Sequence, residues 1–205
     1  MENKLTTQTY RYTIEEPINE KELITLRDDE SIKVIQTSSD LYPSSWEMIN
    51  RILLKNRADI TLRLFGFYGK MCDVSQLLHL PDVRRLSIDS IRSAINIEAI
   101  SELKLVENLT IGIYDLESFD FLKNVNSELV ELNLQETKSI RLDISVVKRF
   151  TKLKCLRIGG HTKGIETINH LKSLKTLYLN SISTPDLSFI EKCIFRQRNA
   201  TCTVI

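Results

Sequence analysis

Apolar residues fall at fixed intervals along most of this chain. The pattern is an apolar residue, two others, an apolar residue, one other, and an apolar residue. It occurs as Val83, Leu86 and Ile88; Val106, Leu109 and Ile111; Leu129, Leu132 and Leu134; Leu153, Leu156 and Ile158; and Leu174, Leu177 and Leu179. Residues 59–64 fit it except at the first position, Asp59. The first positions are 59, 83, 106, 129, 153 and 174, so successive copies lie 24, 23, 23, 24 and 21 residues apart. The last two apolar positions of each copy alternate as a strand does. Between copies a second apolar set runs at i, i+3, i+6: Val74, Leu77, Leu80; Ile97, Ile100, Leu103; Leu116, Phe119, Leu122; Ile144, Val147, Phe150; Ile165, Ile168, Leu171; and then Leu187 and Ile190. That spacing predicts a short helix or 3-10 segment rather than a strand. A doubly wound α/β domain would reproduce these spacings only by chance, whereas a stacked repeat requires them.

The first third of the chain is less regular. Residues 9–14 alternate Tyr10, Tyr12 and Ile14 and predict a strand, as do residues 31–36. Between them residues 19–27 predict a helix capped by Asn19, with Leu23 and Leu26 on one face. A second helix starts near Pro43, with Ser44 or Ser45 as its cap, and carries the stripe Trp46, Ile49, Ile52 and Leu53. Residues 1–58 therefore read as an α/β N-terminal cap packed on a solenoid whose open core needs covering. Residues 59–192 read as about six repeats, and residues 193–205 as an irregular tail. The tail is expected to be poorly ordered or extended, leaving the last repeat's core partly exposed and favouring self-association through that uncapped end. Either the natural protein continues with more repeats, or the tail is an altered end.

The periodic segment resembles leucine-rich repeat proteins of the short-repeat bacterial kind seen in internalin-like and free-standing cytosolic proteins. The resemblance covers residues 59–192 and, more loosely, 31–58. It implies the α/β class: a right-handed solenoid with a parallel β-sheet on its concave face and short helices or 3-10 turns on its convex face. It also implies a protein–protein interaction module. The family's turn asparagine is absent; its positions hold Ile91, Tyr114, Thr137, His161 and Ile182. Less regular turns are expected in consequence.

Strand alternation separates core from surface. The outward middle row reads Lys33, Arg63, Ser87, Thr110, Asn133, Arg157 and Tyr178; the row before it reads Ser31, Thr61, Arg85, Asn108, Glu131, Cys155 and Thr176; the row after it reads Ile35, Phe65, Asp89, Gly112, Gln135, Gly159 and Asn180. Arginine and aromatic residues carry most interface energy. The candidate partner-binding residues are Arg63, Phe65, Arg85, Asp89, Asn133, Arg157 and Tyr178. Arg63 and Tyr178 are expected to be exposed anchors whose truncation weakens binding without lowering the melting temperature.

Composition changes little in this picture. A 205-residue chain with 42% apolar and 27% charged residues is that of a soluble globular protein. The net charge of +1 gives no overall attraction to nucleic acid or to an anionic membrane. Its distribution matters more. Residues 98–136 carry nine acidic and two basic side chains, a net −7, whereas residues 138–175 carry ten basic and two acidic, a net +8. Lys154 and Lys175 share a repeat position with Lys152 close by, so the three predict a basic edge that suits an acidic protein or a phosphate backbone. Aromatic residues are not interleaved with the basic ones, which argues against single-stranded nucleic acid.

Signals for catalysis are weak. Between Gly159 and Gly164 the spacing misses the phosphate-loop pattern because Lys163 precedes the last glycine. His79, His161 and His170 do not fall at metal-ligand spacings. Cys72, Cys155, Cys193 and Cys202 form no C-x-x-C pair and read as reduced thiols, with Cys155 and Cys202 exposed. The expectation is a non-enzyme with no catalytic residues, cofactor or metal. The start of the chain has no apolar signal segment, and no run of 18 apolar residues occurs, so a cytoplasmic setting with no membrane contact is expected. Two other readings stand beside it: a piece of a larger leucine-rich repeat protein whose C-terminal part carries an activity, and a binder of an anionic ligand through residues 138–175.

Overall fold

The computed structural model describes residues 10–139, 142–184, 186, 188–190 and 201–204. In chain order the elements are β1 (Arg11–Thr13), α1 (Glu20–Asp28), β2 (Val34–Thr37), α2 (Pro43–Ile49), β3 (Thr61–Gly66), β4 (Cys72–Asp73), β5 (Arg85–Ile91), β6 (Ala94–Ile95), β7 (Asn108–Ile113), β8 (Glu131–Leu134), β9 (Cys155–Gly159), β10 (Thr176–Asn180) and β11 (Thr201–Val204). Nine of the strands form one parallel sheet in the order β1-β2-β3-β5-β7-β8-β9-β10-β11. From β1 to β10 each crossover within the main sheet carries the chain through the second layer, as parallel neighbours require.

The repeat pattern becomes two columns of side chains. Ile35, Leu62, Leu86, Leu109, Leu132, Leu156 and Leu177 are register partners on successive strands, and all are 2% exposed or less. Two residues on, Leu64, Ile88, Ile111, Leu134, Ile158 and Leu179 form the second column, again buried. The i, i+3, i+6 sets form the opposite layer as 3-10 turns at Val74–His79, Ile97–Glu102, Asp120–Lys123, Ser145–Arg149 and Ile165–His170. Val74, Leu77 and Leu80, and likewise Val147, Phe150 and Ile168, point into the shared core and are fully buried. Burying a Leu or Phe side chain stabilises by about 1.5–3 kcal/mol, so each repeat holds its neighbours through a handful of such contacts.

Residues 10–58 form the N-terminal α/β portion as a direct continuation of the solenoid. β1 and β2 extend the same sheet in register, while α1 and α2 take the place of the 3-10 turns. Asn19 caps α1 by accepting from the Lys21 amide at 2.8 Å. α2 begins at Pro43 itself, so neither Ser44 nor Ser45 caps it. A π-helical turn, Asn50–Leu54, then widens the helix and turns Ile52, Leu53 and Leu54 inward together. Trp46, 1% exposed, donates its indole N–H to Gln76 Oε1 at 3.1 Å, which ties α2 to the next turn of the convex layer.

Two further expectations are corrected. Residues 193–205 were expected to be irregular, but Thr201–Val204 pairs with β10 as a ninth parallel strand. Leu174, Leu177 and Leu179 are consequently covered, and self-association through an open core loses its basis at β10. The rest of that tail lies outside the described residues. The second correction is register on β2: Gln36, not Lys33, stands beside Arg63, and Ile35 faces the core. The strand starts later than the sequence suggests because residues 29–32 form a turn. Arg57 binds that turn, donating to the carbonyls of Arg27, Asp29 and Ile32 at 2.8, 3.1 and 2.9 Å.

The turns lack a common asparagine, and each solves its hydrogen bonding differently. Thr37 and Thr137 donate to the carbonyls two residues ahead, of Ser39 and Ser139, at 3.0 and 2.7 Å. Arg149 donates to the carbonyls of Leu122 and Val125. β4 and β6 form a separate two-stranded ladder after β3 and β5. His161 is fully buried; Nε2 lies 3.1 Å from the Gln135 carbonyl, its ring meets Phe119 edge-on at 5.0 Å, and Nδ1 has no partner among the described residues.

Burial pushes the His161 imidazolium below its usual 6.5, so the folded protein holds the neutral ring. The unfolded chain takes up a proton there before the folded one does. Stability is therefore complete above 6.5 and falls as the pH drops below it, by at most about 1.4 kcal/mol per pH unit. Thermal melts followed by circular dichroism between neutral and mildly acidic pH should show this slope, and His161→Leu should flatten it. An unchanged slope would mean that His161 takes up its proton without loss in the fold.

The candidate binding face

The nine-stranded sheet presents its outward rows on the concave side, and the sequence-predicted residues divide there into two groups. The first surrounds Arg63 on β3. Its Nε and Nη2 donate to Asp89 Oδ1 and Oδ2 at 2.7 and 2.6 Å, its Nη1 donates to Gln36 Oε1 at 3.0 Å, and its guanidinium lies 4.9 Å from the Phe65 ring centroid. Ser87 and Ser90 donate to the same carboxylate at 2.6 and 3.3 Å. The side chains of Arg63 and Asp89 are only 16% and 10% exposed. Burial opposes ionisation of Asp89, but the hydrogen bonds from Arg63, Ser87 and Ser90 outweigh it and hold the carboxyl below its ordinary value.

Arg63 is thus not the exposed anchor that alternation suggested. Phe65 and Asp89, drawn as binding residues, are also its partners. The sequence signal was available, because residues i on one strand and j+2 on the next are diagonal neighbours.

The second group lies at β8–β10. Arg157 is exposed and sits 4.6 Å from the Tyr178 ring centroid, its register partner on β10. Asn133 is its register partner on β8. Arg85 stands half-exposed on β5 between Thr61 and Asn108. Cys155 is half-buried; burial raises its thiol's pKa, and Arg157 pulls it back only in part. Among the described residues, neither Arg85 nor Arg157 enters an ion pair.

The basic edge is narrower than its sequence. Lys152 is paired with Glu128. Lys154 and Lys175 remain exposed without an ion pair among the described residues; they are neighbours on the sheet rim, the Lys175 amide donating to the Lys154 carbonyl at 2.8 Å. On the same rim at β5 and β7, beyond β8, Arg84 donates to Glu107 at 2.9 Å, so that part of the rim is self-satisfied.

The glycines of the following row are not open floor. A Cβ at Gly112 would lie 2.1 Å from Gln135 Oε1, because the Gln135 side chain lies across it. At Gly164, with φ +82°, a Cβ would lie 2.7 Å from the Ser145 amide nitrogen, so the glycine-rich segment is a tight turn between repeats. Among the described residues no three His, Cys, Asp or Glu side chains converge to hold a metal, and no helix is long and apolar enough to cross a membrane.

No protein-family model matches the chain, and no curated protein matches its sequence. Solved structures do resemble it. An internalin, InlF, from Listeria monocytogenes superposes with a TM-score of 0.58 at 20% identity, over 88% of this chain and 51% of that one. A leucine-rich repeat protein of Leptospira interrogans gives 0.52 at 18%, over 89% and 50%. TLR13, solved in complex with ssRNA13, gives 0.51 at 15%, over 91% and 30%. The chain therefore spans about half the length of the first two. These likenesses show the fold: an α/β leucine-rich repeat solenoid.

Arg63→Ala would strand Asp89 in a nearly buried position. That should cost about 2 kcal/mol, between the values for exposed and fully buried pairs. For a chain of this size the melting temperature should fall by about 4–8 °C. A thermal melt unchanged by the substitution would mean that Arg63 is a free surface residue after all.

Proposed function

We propose that the chain is a non-enzymatic binding module that holds another protein against its concave sheet and the adjoining loops. The observation that carries this reading is Arg157 lying on Tyr178: a cation and an aromatic ring, preorganised on an outward sheet face, with no carboxylate among the described residues paired to them. Such pairs supply large binding energies when covered. Arg85 and Asn133 extend the same face toward β5. The buried apolar columns beneath it leave the sheet rigid, so little ordering cost attends association.

A protein partner is favoured over single-stranded nucleic acid. Of the cations Arg85, Arg157, Lys154 and Lys175, only Arg157 lies on an aromatic ring among the described residues, whereas a strand of bases needs a series of stacking surfaces. Glu131 also lies among them, in register with Cys155. Free thiols at Cys72 and Cys155 support a reducing, cytoplasmic setting.

The test is affinity capture from native cells with the purified chain, repeated with Arg157→Ala combined with Tyr178→Ala. The double variant should melt as the wild type does and should lose the captured protein, with affinity reduced about tenfold or more. Equal capture by both would overturn the concave-face reading.

A further inference from the structure

Arg63 and Arg157 occupy the same row of the sheet, with neighbours that match in kind though not position by position: Phe65 stands two residues along Arg63's own strand, whereas Tyr178 is the register partner of Arg157 on the next strand. Each has an amide residue in register on the preceding strand, Gln36 for Arg63 and Asn133 for Arg157. Each guanidinium lies on an aromatic ring, 4.9 Å from Phe65 in one case and 4.6 Å from Tyr178 in the other. The difference is on the following strand. Two residues beyond the register partner of Arg63 stands Asp89, which takes both guanidinium edges. Two residues beyond the register partner of Arg157 stands Asn180, exposed and uncharged. Arg157, Tyr178, Asn133 and Asn180 line one shallow cleft, with Gln135 and Glu136 on its wall; no ion pair joins Glu136 to Arg157 among the described residues.

We propose that Arg157 is the centre of a carboxylate-binding subsite, and that the partner's contacting segment is an acidic stretch of polypeptide. This rests on the concave face being the interface. The Arg63 site shows what geometry this sheet imposes on a guanidinium: an aromatic face below, an amide to one side and a bidentate carboxylate on the diagonal. At Arg157 the first two are built in, and the third comes from outside the chain. A bidentate carboxylate is the anion whose two oxygens match the guanidinium fork.

The surrounding charge agrees. Lys154 and Lys175 lie side by side on the rim of the same strands, about 4.8 Å apart in the hydrogen-bonding direction. Like charges at such a spacing repel, and no acidic side chain among the described residues pairs with them. Elsewhere on this rim Arg84 has Glu107, so the uncompensated pair is particular to β9 and β10. An extended segment with acidic residues at alternate positions spaces its carboxylates by about 7 Å, close enough to serve Arg157 with one and the lysines with another. A phosphodiester chain fits less well, since it carries a charge on every unit, whereas a polypeptide can set uncharged residues over Glu131, in register with Cys155, and over Glu136, whose Cγ is 3.1 Å from where a Gly159 Cβ would sit. Evenly spaced phosphates would pass over both carboxylates.

The experiment uses fluorescence anisotropy with three labelled probes at low salt: a short peptide alternating Gly and Glu, its Gly–Gln counterpart, and a short oligothymidylate. The Gly–Glu peptide should bind and the Gly–Gln peptide should not. Asn180→Asp is the informative variant. It places a carboxylate where Asp89 stands relative to Arg63, so it should pair with Arg157, keep or raise the melting temperature, and weaken the Gly–Glu peptide about tenfold. Arg157→Ala should weaken it equally, and Arg157→Lys part-way, because an ammonium lacks the fork. Binding of the Gly–Glu peptide that is indifferent to Asn180→Asp would overturn the proposal, as would equal binding of the Gly–Gln peptide or tighter, Arg157-dependent binding of the oligothymidylate. The two readings fail separately. A captured partner that needs Tyr178 but tolerates Asn180→Asp removes only the carboxylate subsite. A captured partner that ignores Tyr178 and Arg157, beside a Gly–Glu peptide that needs Arg157, removes the concave-face reading.

Discussion

Register is the constraint on which everything else in this molecule depends. Because Leu62, Leu86, Leu109, Leu132 and Leu156 are direct partners on successive strands, every outward residue between them is also aligned. A slip of one residue on any strand would turn leucines outward and arginines inward. The burial of the two apolar columns thus holds the surface rows in place. It also explains why Arg157 meets Tyr178, and why Arg63 meets Asp89, without any local device to bring them together.

Arginine does three different jobs on this scaffold, and the neighbours decide which. Arg57 and Arg149 close the ends of turns by donating to carbonyls, work that an asparagine ladder would do in a regular repeat. Arg57 and Lys33 also hold the Asp59 carboxyl well below the usual carboxylate range. Arg63 is consumed by Asp89 and contributes stability. Arg157 has an aromatic support and, among the described residues, no ion pair. The acidic and basic halves of the sequence follow a similar logic: Glu107 and Glu128 are partly spent on Arg84 and Lys152 in neighbouring repeats, whereas Lys154 and Lys175 are not spent.

The fold was legible because it is written in spacing. The strand hexads from Val83 onward and the i, i+3, i+6 triplets from Val74 onward land on or beside strands and 3-10 turns with their apolar residues buried, save Ile97 and Leu116, which are half-buried, and Leu187, which lies outside the described residues. Register before residue 59 was not legible: residues 31–37 hold Ile32, Val34 and Ile35 in a row, and the side chain that settles which of them turns inward is Arg57, more than twenty positions away. The strand at Thr201–Val204 was missed because its segment departs from the repeat. From β3 onward alternation matches the register of the middle row, from Arg63 to Tyr178, but could not show that Arg63 is occupied. Surface position is local information, whereas occupancy depends on diagonal neighbours across strands. Lys152 was misjudged for the same reason, its partner Glu128 lying one repeat back.

The account's central claim is that the outward face at β8–β10 is the contact surface. Hydroxyl-radical footprinting of the chain, alone and with its captured partner, tests it most directly, because exposed tyrosines report their own coverage. Tyr178 and Cys155 should lose reactivity in the complex, while Tyr42 in the second crossover and Leu78 on the convex side, both well exposed, should keep theirs. Protection confined to Leu78 and Leu105, with Tyr178 as reactive as in the free chain, would contradict it.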